Sequence, residues 1–321
     1  NLNFLKLYFL SVITCWIGGT DMIFGQVDPV RGVYLSAHAA GLERGEKLVD
    51  DLLAVGGNTV VFDVKDRRGR LSYRSKVVLA RAIGASEWYT IDDPFQRIAD
   101  WQDRGLYVIA RLTCFYDLLL ADKRPAWVPA SMSGGLWGEG EIPNWVDPSI
   151  AAVQDYLINI AIEVATLGVD EIQLDYVRFP TQGNLKDAIF SYDSTKLTKD
   201  VVITDFVKDM RLALRPTGVR LSADIFGITA WGKQVDMRRL GQNVETLIYY
   251  LDAISPMLYP SHFGPGFASL NNPVDYPYHV VRLGCEQLSH LAHAHGVDIR
   301  PWLQSFDHLV QDYNVQFITE Q

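Results

Sequence analysis

Four charged residues occupy similar positions in the chain, each near the end of a short run of β-branched and apolar residues. They are Asp63, Arg111, Asp175 and Asp224. Each is out of phase with its apolar neighbours, so in a strand its side chain points to the face opposite theirs. Because a buried polar group costs roughly 2–7 kcal/mol unless it has a partner, we expect these side chains to meet in one polar site. Paired carboxylates suit glycoside hydrolysis, in which one acid protonates the leaving oxygen and the other attacks or activates water.

The spacing of two of these acids favours one version of that chemistry. Asp175 and Asp224 end neighbouring predicted strands, which places their Cα atoms about 5 Å apart. This separation favours retaining hydrolysis, in which the carboxyl groups lie roughly 5–5.5 Å apart, over inverting hydrolysis. We assign Asp175 as the nucleophile and Asp224 as the general acid/base. Arg111 and Arg178 are expected to keep the nucleophile ionised by lowering its pKa, and Asp63 to bind substrate.

Two alternatives stay open at this point. A third acid, Asp63 or Asp147, could be the catalytic partner instead. The charged residues could also form a structural network in which Arg111 and Arg178 neutralise the carboxylates. Carboxylates at the ends of several adjacent strands are nevertheless more often functional than structural.

Strand-like and helix-like segments alternate from residue 31 onward. Short β-branched runs predict strands at residues 32–36, 58–64, 106–112, 170–175, 219–225, 253–258 and 299–303. Amphipathic stretches predict helices near residues 44–55, 94–104, 149–167, 196–214, 243–250 and 279–295. Such alternation predicts a parallel sheet with crossover helices.

The loops of this pattern fall into two kinds. Links from helix to strand are short and usually contain glycine, which suits the left-handed residue after a helix. Links from strand to helix are long, at residues 65–93, 113–148, 176–195 and 259–278. Long loops at the carboxyl ends of the strands are typical of a (β/α)₈ TIM barrel, whose active sites lie there. A doubly wound sheet would also alternate, but no G-x-G-x-x-G follows any predicted strand.

The two ends of the chain carry separate expectations. Residues 311–321 resemble the start of a seventh helix, so we expect a truncated chain that lacks the last barrel strand; the alternative is that the N-terminal segment replaces it. Lys6 precedes an apolar run at residues 7–17, which predicts a signal peptide or N-terminal anchor over 1–26, before the barrel at 27–321. A buried N-terminal helix is the other interpretation. We expect an exported protein (secreted, periplasmic or associated with the cell envelope) with a possible membrane tether.

Aromatic residues are frequent and concentrate in the predicted strand-to-helix loops and the last strand. Sugars present C–H faces that pack on aromatic rings, so these side chains are candidates for binding a polysaccharide or oligosaccharide. They are Trp137, Trp145, Trp231, Tyr259 and Trp302. We expect two or three of the five to contact the ligand and the others to be loop core.

Composition and missing motifs exclude several other functions. The net charge of −9 gives no basic footprint for nucleic acid. The chain has no H-E-x-x-H zinc motif and no G-x-S-x-G elbow. His290, His293 and His295 have a spacing that could bind metal, but a solvated helix face is the more common explanation. We therefore expect neither a metal nor an organic cofactor.

One segment resembles a known family. Residues 170–180 read DEIQLDYVRFP and resemble the glycoside-hydrolase-like barrels of bacteria that are classed as a domain of unknown function and are distantly similar to the α-amylase superfamily. The resemblance runs from about residue 31 to the C-terminus. Its other pieces are RGVYL at 31–35, FDVKD at 62–66, IAR at 109–111, KRP at 123–125, GGLW at 134–137, WVDP at 145–148, SADIFG at 222–227, SPMLYPS at 255–261 and RPWLQ at 300–304.

The resemblance implies a glycosidase-type barrel with catalytic acids after strands four and five. Amylase-type enzymes usually have Glu after strand five, where this chain has Asp224. The last of the matching pieces adds Gln304 to the candidate substrate-binding residues, and the family's last strand lies beyond residue 321. Our hypothesis is a glycoside hydrolase that acts on a polysaccharide. The alternatives are a catalytically inactive barrel that binds glycan and a transglycosylase.

Overall fold

Seven parallel strands form a sheet that curls into an incomplete (β/α) barrel, as the sequence predicts. The computed structural model of the chain describes residues 9–11, 29–311 and 313–321. Each strand pairs with the next in chain order. The strands are β1 Arg31–Leu35, β2 Thr59–Lys65, β3 Tyr107–Thr113, β4 Glu171–Asp175, β5 Arg220–Phe226, β6 Ala253–Met257 and β7 Asp298–Ile299.

Helices connect the strands and cover the outer face of the sheet. They are α1 Ala37–Ala40, α2 Glu43–Ala54, α3 Val78–Ala82, α4 Pro94–Asp103, α5 Leu118–Lys123, α6 Ala151–Ala165, α7 Lys199–Leu214, α8 Gln234–Leu240, α9 Val244–Leu247, α10 Pro277–His295 and α11 Val315–Glu320. Five of the six predicted helices are present with small differences at the ends, and the helix predicted at residues 243–250 is only the short α9, followed by a 3-10 turn at Ile248–Tyr250. The start of α4 illustrates how the sequence sets a helix boundary. Asp93 is the N-cap and accepts a hydrogen bond from the Gln96 amide, and Pro94 begins the helix.

The strand β7 is shorter than the predicted strand at 299–303. Beyond Ile299 the chain still runs along β6, because the Arg300 amide donates to the carbonyl of Ile254 and the Trp302 amide to that of Pro256, both at 2.9 Å. Pro301 lies between them and has no amide hydrogen to give, which limits the regular pairing. Trp302 is thereby fixed beside β6 through an isolated bridge to Met257.

At the other edge of the sheet, the three-residue strand Phe9–Ser11 pairs antiparallel with β1. The other residues of the predicted signal peptide or anchor at 1–26 lie outside the described residues. In the part of the chain that the structure describes, no helix combines the length and apolar character needed to cross a membrane. Within that same part, no pairing joins the N-terminal edge of the sheet to β7.

The two faces of the strands separate as the alternation predicts. Val60, Phe62 and Val64 of β2 lie in the large core between sheet and helices. Val61 of the same strand lies instead in a small cluster with Ile109 and Trp302 inside the barrel. Asp63 and Arg111 lie two residues after Val61 and Ile109 in the same strands, so their side chains point to the same inner face. The predicted charged residues therefore lie inside the barrel.

Candidate active site

Arg111 is the centre of a charged cluster at the carboxyl ends of the strands. Its guanidinium donates to the carboxylates of Asp63 and Asp175 through Nη1 and Nη2. Its Nε lies 3.1 Å from Asp175 Oδ2 and 3.7 Å from Asp224 Oδ2. The parallel register explains this meeting, because Asp63 stands opposite Arg111 across β2 and β3. We call Asp63, Arg111, Asp175 and Asp224 the mouth cluster; three carboxylates share one guanidinium in it.

Asp224 is the most deeply buried acid of the mouth cluster, with 1% of its surface exposed. Its Oδ1 accepts hydrogen bonds from Gln173 Nε2 and Trp302 Nε1, each at 2.7 Å. Burial, reinforced by the charge of Asp175, raises the pKa of Asp224 well above its usual range. Arg111, Trp302 and Gln173 act in the opposite direction without cancelling this rise. Asp224 thus has the character of a proton donor.

Asp175 is held as an acceptor at the end of β4. Its Oδ1 accepts from its neighbour's amide, Tyr176 N, at 2.5 Å, while Arg111 occupies Oδ2. Tyr176 has a φ of 50°, in the left-handed region that a bulky residue rarely adopts. Strained backbone of this kind is found preferentially at functional sites. The turn directs the amide of Tyr176 back onto the carboxylate of Asp175.

Asp63 is hydrogen-bonded to Tyr34, which is not among the predicted site residues. Tyr34 of β1 donates its hydroxyl to Asp63 Oδ2 at 2.5 Å, and its ring lies under the guanidinium of Arg111. Burial raises the pKa of Asp63, while Arg111 and the Tyr34 hydroxyl oppose that rise. Tyr34 could have been found from the sequence, because it is the inward residue between the outward Val33 and Leu35.

A pocket of about 180 Å³ opens beside the mouth cluster. This volume is below the range of about 300–1,000 Å³ for sites of drug-sized ligands, so the pocket fits a single sugar-sized ring better than a longer ligand. Acidic and aromatic groups share its wall. It is lined by Tyr34, Arg111, Asp175, Asp224, Met257, Tyr259, Trp302, Leu303, Ser305 and Phe306.

Of the five predicted aromatic residues, Tyr259 and Trp302 line this pocket. Trp145 does not, since it is fully buried under the loop after β3. Trp137 is also buried, and its indole donates to a backbone carbonyl of the next long loop, Asn184 O, at 2.9 Å. Trp231 packs on neighbouring rings. The structure therefore gives these three tryptophans the role of loop core.

Arg178 does not make the expected pair with Asp175. Its guanidinium lies over the rings of Trp145, Tyr176 and Phe226, 4.6–5.3 Å from their centroids. Within the described residues it forms no ion pair with a carboxylate, and burial lowers its pKa. Among the described residues, the ion pair with Asp175 is made by Arg111, while the charge of Asp175 raises the pKa of Arg178 against the larger effect of burial.

Two further candidates have structural roles in the loops. Gln304 Nε2 donates to the carbonyls of Phe306 and His308 at 3.0 and 3.1 Å, which fixes the loop that carries the pocket residue Phe306. Gln304 is therefore a support of the pocket and not part of its wall. Asp147, the alternative catalytic acid, is fully buried and accepts hydrogen bonds from Ser149 and from the Ser191 amide at 2.6–2.9 Å. This excludes Asp147 from the pocket.

A second polar cluster fills the lumen at the amino ends of the strands. Glu171 accepts hydrogen bonds from Ser222, Arg300 and Tyr107 at 2.5, 2.7 and 2.9 Å. Asp298 accepts from Arg220 and Arg300, both at 2.8 Å. Charges balance, with two carboxylates and two guanidiniums. We call this set the floor cluster; its members are Tyr107, Glu171, Arg220, Ser222, Asp298 and Arg300.

Comparisons with known proteins agree with a hydrolase fold. The sequence matches one family model over residues 32–321; the family, DUF4015, is described as "Putative glycosyl hydrolase domain". The structure is similar to that of a hypothetical protein from Ruminiclostridium thermocellum ATCC 27405, with 35% identity, 60% of this chain and 96% of that chain covered, and a TM-score of 0.53. It is also similar to the PgaB (BpsB) glycoside hydrolase domain from Bordetella bronchiseptica, with 11% identity, 90% and 98% coverage and a TM-score of 0.53, a likeness of fold alone. A comparison with curated proteins gave no match.

Proposed function

Because the chain belongs to the DUF4015 family of glycosyl hydrolase domains, we propose that it hydrolyses the glycosidic bonds of a polysaccharide, with Asp175 as nucleophile and Asp224 as general acid/base. The observation that carries this proposal is the contrast between the two acids. Asp224 is desolvated and its pKa is raised well above the usual range, whereas Asp175 receives two hydrogen bonds from Arg111 and one from a backbone amide. Two acids whose environments differ in this way suit the roles of proton donor and nucleophile.

The reaction would proceed in two steps. Asp224 transfers its proton to the glycosidic oxygen as the bond to the anomeric carbon breaks, and a carboxylate oxygen of Asp175 bonds to that carbon. Water then attacks the covalent intermediate, gives a proton to the Asp224 carboxylate, and releases the sugar from Asp175. Asp224 ends protonated and Asp175 ionised, as both began.

The separation of the acids is compatible with this retaining route. One oxygen of each carboxylate lies near the same Arg111 Nε, at 3.1 and 3.7 Å, so the two oxygens are separated by no more than the sum of these distances. Retaining enzymes hold their carboxyl groups about 5–5.5 Å apart, and inverting enzymes about 6.5–9.5 Å. The upper limit therefore includes the retaining separation and reaches only the lower end of the inverting range.

The surroundings of the acids support a saccharide as substrate. Tyr259 and Trp302 present aromatic surface to the same pocket that Asp175 and Asp224 enter. The apolar faces of a sugar ring can pack on such surface, while its hydroxyls meet the charged wall.

We also propose that the protein is exported. This proposal rests on the sequence of residues 1–26 and would place the enzyme where polysaccharides occur.

Product analysis with a panel of bacterial and plant glycans tests the proposal. Wild type should release reducing sugar from at least one of them, and Asp175→Asn and Asp224→Asn should each lower kcat by about 10³-fold or more. Asp103→Asn, at an exposed site at the end of α4, is the matched control and should retain full activity. The proposal fails if either active-site variant turns over as wild type does. Binding without any product would identify an inactive glycan-binding barrel, and products elongated by an added acceptor a transglycosylase.

A further inference from the structure

The loop after β2 carries a concentration of positive charge that the proposed chemistry does not use. Residues 65–81 contain seven Lys or Arg and one acid, in a chain whose net charge is −9. Lys65 is the exception among them, because it forms a fully buried ion pair with Asp117 at 2.8 Å. The other six form no ion pair with a described carboxylate. A local excess of this size in an acidic protein needs its own explanation.

Part of this loop is a rigid turn, residues 66–70, which we call the arginine hairpin. Asp66 Oδ1 accepts from the amides of Arg68 and Arg70, both at 2.9 Å, and the Asp66 amide donates to the carbonyl of Arg70 at 3.0 Å. Gly69 has a φ of 80°, and a Cβ there would lie 2.0 Å from Asp117 Oδ1. Only glycine fits this contact. The backbone is therefore fixed before any ligand arrives.

The side chains of the hairpin remain available to a ligand. Arg67 and Arg68 are exposed and make no ion pair within the part of the chain that the structure describes. The guanidinium of Arg70 lies 4.6 Å from the centroid of the Trp88 ring, yet Trp88 is still 62% exposed. One face of the indole is thus supported by a cation while much of the ring faces solvent. An exposed indole and arginines without ion-pair partners contribute little to the stability of the fold, so we interpret Trp88 and these arginines as a binding surface.

The hairpin lies on the rim of the same mouth as the pocket. It follows β2 directly, because β2 ends at Lys65, two residues after Asp63. Its tip leans on the start of α5, because the amide of Leu119 donates to the carbonyl of Arg68 at 3.1 Å. Arg67 also acts on Tyr176, the residue after Asp175. Burial raises the pKa of the Tyr176 phenol, and the charge of Arg67 lowers it.

We propose that the arginine hairpin and Trp88 extend the active site and select an anionic polysaccharide. Carboxylate, sulfate or phosphate groups of the chain would bind Arg67 and Arg68, and a sugar ring would stack on the exposed part of Trp88. This inference rests on the proposed function, because it takes the ligand in the pocket to be a glycan. Nucleic acid is the less suitable polyanion, since the hairpin shares its rim with a pocket of single-ring size.

Binding measurements separate this inference from the catalytic proposal. The Asp224→Asn protein, which should not degrade its ligand, is titrated with polygalacturonate, dextran sulfate and a phosphate-bearing teichoic acid, and with the neutral counterparts methyl-esterified polygalacturonate and dextran. At least one charged polymer should bind at least tenfold more tightly than the neutral ones, and added salt should weaken that binding. Binding with no hydrolysis by wild type would refute the proposed function alone. Hydrolysis without any preference for charged polymers would refute this inference alone.

Matched variants locate the site. Arg67→Gln with Arg68→Gln should weaken binding of the charged polymer about three- to thirtyfold, from two exposed ionic contacts. Lys208→Gln with Arg215→Gln removes two exposed charges on α7 and the link that follows it, away from the mouth, and should change binding less than twofold. Trp88→Ala should weaken the polysaccharide but leave inorganic polyphosphate, which has no sugar ring, unaffected.

Three results would overturn the inference. They are equal binding of neutral and charged polymers, unchanged binding by the double hairpin variant, and a Trp88→Ala variant that binds polysaccharide as wild type does. Duplex DNA or anionic lipid vesicles that bind as tightly as the best polysaccharide, and lose that binding in the hairpin variant, would reassign the surface to that partner.

Discussion

The lumen of one barrel contains two ionic clusters, at opposite ends of the strands, that balance their charges differently. The floor cluster balances two carboxylates with two guanidiniums, and its central acid Glu171 accepts from three donors. The mouth cluster gives three carboxylates a single guanidinium, Arg111, and leaves a pocket beside them. Both lie on strand residues of the same inward phase. They differ in charge balance and in access to a pocket.

The difference separates an arrangement built for stability from one built for chemistry. In the floor cluster, the hydrogen bonds and charges of Arg220 and Arg300 hold the pKa of Asp298 below its usual value, even though burial acts in the opposite direction. In the mouth cluster, burial dominates, and the pKa of Asp224 is raised well above its usual value. An acid that is destabilised in its ionised form is a poor structural element and a good proton donor.

Removing the cation from each cluster gives the largest expected difference. Arg111→Gln should lower kcat/KM by at least about 10³-fold, because Asp175 loses the guanidinium that donates to its carboxylate and orients it. Arg300→Gln should leave the activity of folded protein within about threefold of wild type. Both variants should lose about 3–5 kcal/mol of unfolding free energy in urea, as expected when one partner of a buried pair is removed. Equal losses of activity in the two variants would remove the functional distinction between the clusters.

The pH dependence of stability should have opposite signs in the two clusters. Asp224 has a raised pKa in the folded state, so the unfolded chain loses that proton first as pH rises from about 4, and Asp224 lowers stability from there up to its folded pKa. Asp298 has a lowered pKa, so its contribution is present above about pH 4 and is lost as pH falls through its folded pKa.

Two conservative variants test these signs by urea unfolding between pH 3 and 8. Asp224→Asn should be more stable than wild type at pH 8, and the difference should disappear at the acidic end. Asp298→Asn should be less stable than wild type at pH 8 and approach it at the acidic end. Parallel curves for the two variants would show that both clusters are structural ion-pair networks of one kind.

Most strand residues of the site could be predicted from the sequence, whereas loop residues could be predicted only in part: Tyr259 and Trp302 line the pocket as expected, but Trp137 does not. Alternation of side chains along the strands predicts four residues of the site, Asp63, Arg111, Asp175 and Asp224. This alternation is set by backbone geometry and does not depend on how the loops pack. The register between neighbouring parallel strands then brings the four together, as Leu174 opposite Ala223 does for the last two.

The side chains of the long loops depend on contacts that no local pattern contains. Arg178 lies three residues after Asp175, on the far side of the left-handed residue Tyr176, and its guanidinium lies over the rings of Trp145 and Tyr176. Trp137 was expected at the ligand, but its indole bonds to the carbonyl of Asn184, a residue of a different loop. Such partners are far apart in sequence, so their meeting is a property of the tertiary structure.

Each cluster contains one tyrosine that donates a hydrogen bond to a carboxylate, so the mouth and floor clusters can be compared by removing that single bond from each. Tyr34 donates to Asp63 in the mouth cluster at 2.5 Å, and Tyr107 donates to Glu171 in the floor cluster at 2.9 Å. Replacing either with Phe should cost about 1–3 kcal/mol of stability, because a buried charged acceptor loses a donor. Tyr34→Phe alone should also lower kcat/KM, by about tenfold, since Asp63 and Arg111 lose a support. A Tyr107→Phe variant with the same loss of activity would contradict this division.

The smallest expected effect comes from the two tryptophans whose indoles donate to different kinds of acceptor. Trp302 donates to Asp224 Oδ1 at 2.7 Å and lowers its pKa against the larger effect of burial; Trp137 donates to a loop carbonyl. Trp302→Phe removes a donor that favours the ionised form, so the pKa of Asp224 should rise further. Because the general acid must be protonated to act, the alkaline limb of the kcat/KM profile should move to higher pH, with a loss of about two- to fivefold at the optimum from the altered wall of the pocket. Trp137→Phe should cost about 1 kcal/mol of stability and leave the profile where it is. If instead the acidic limb moves to higher pH in Trp302→Phe while the alkaline limb stays where it is, Asp224 acts in its ionised form, and the proton donor of this site is another acid.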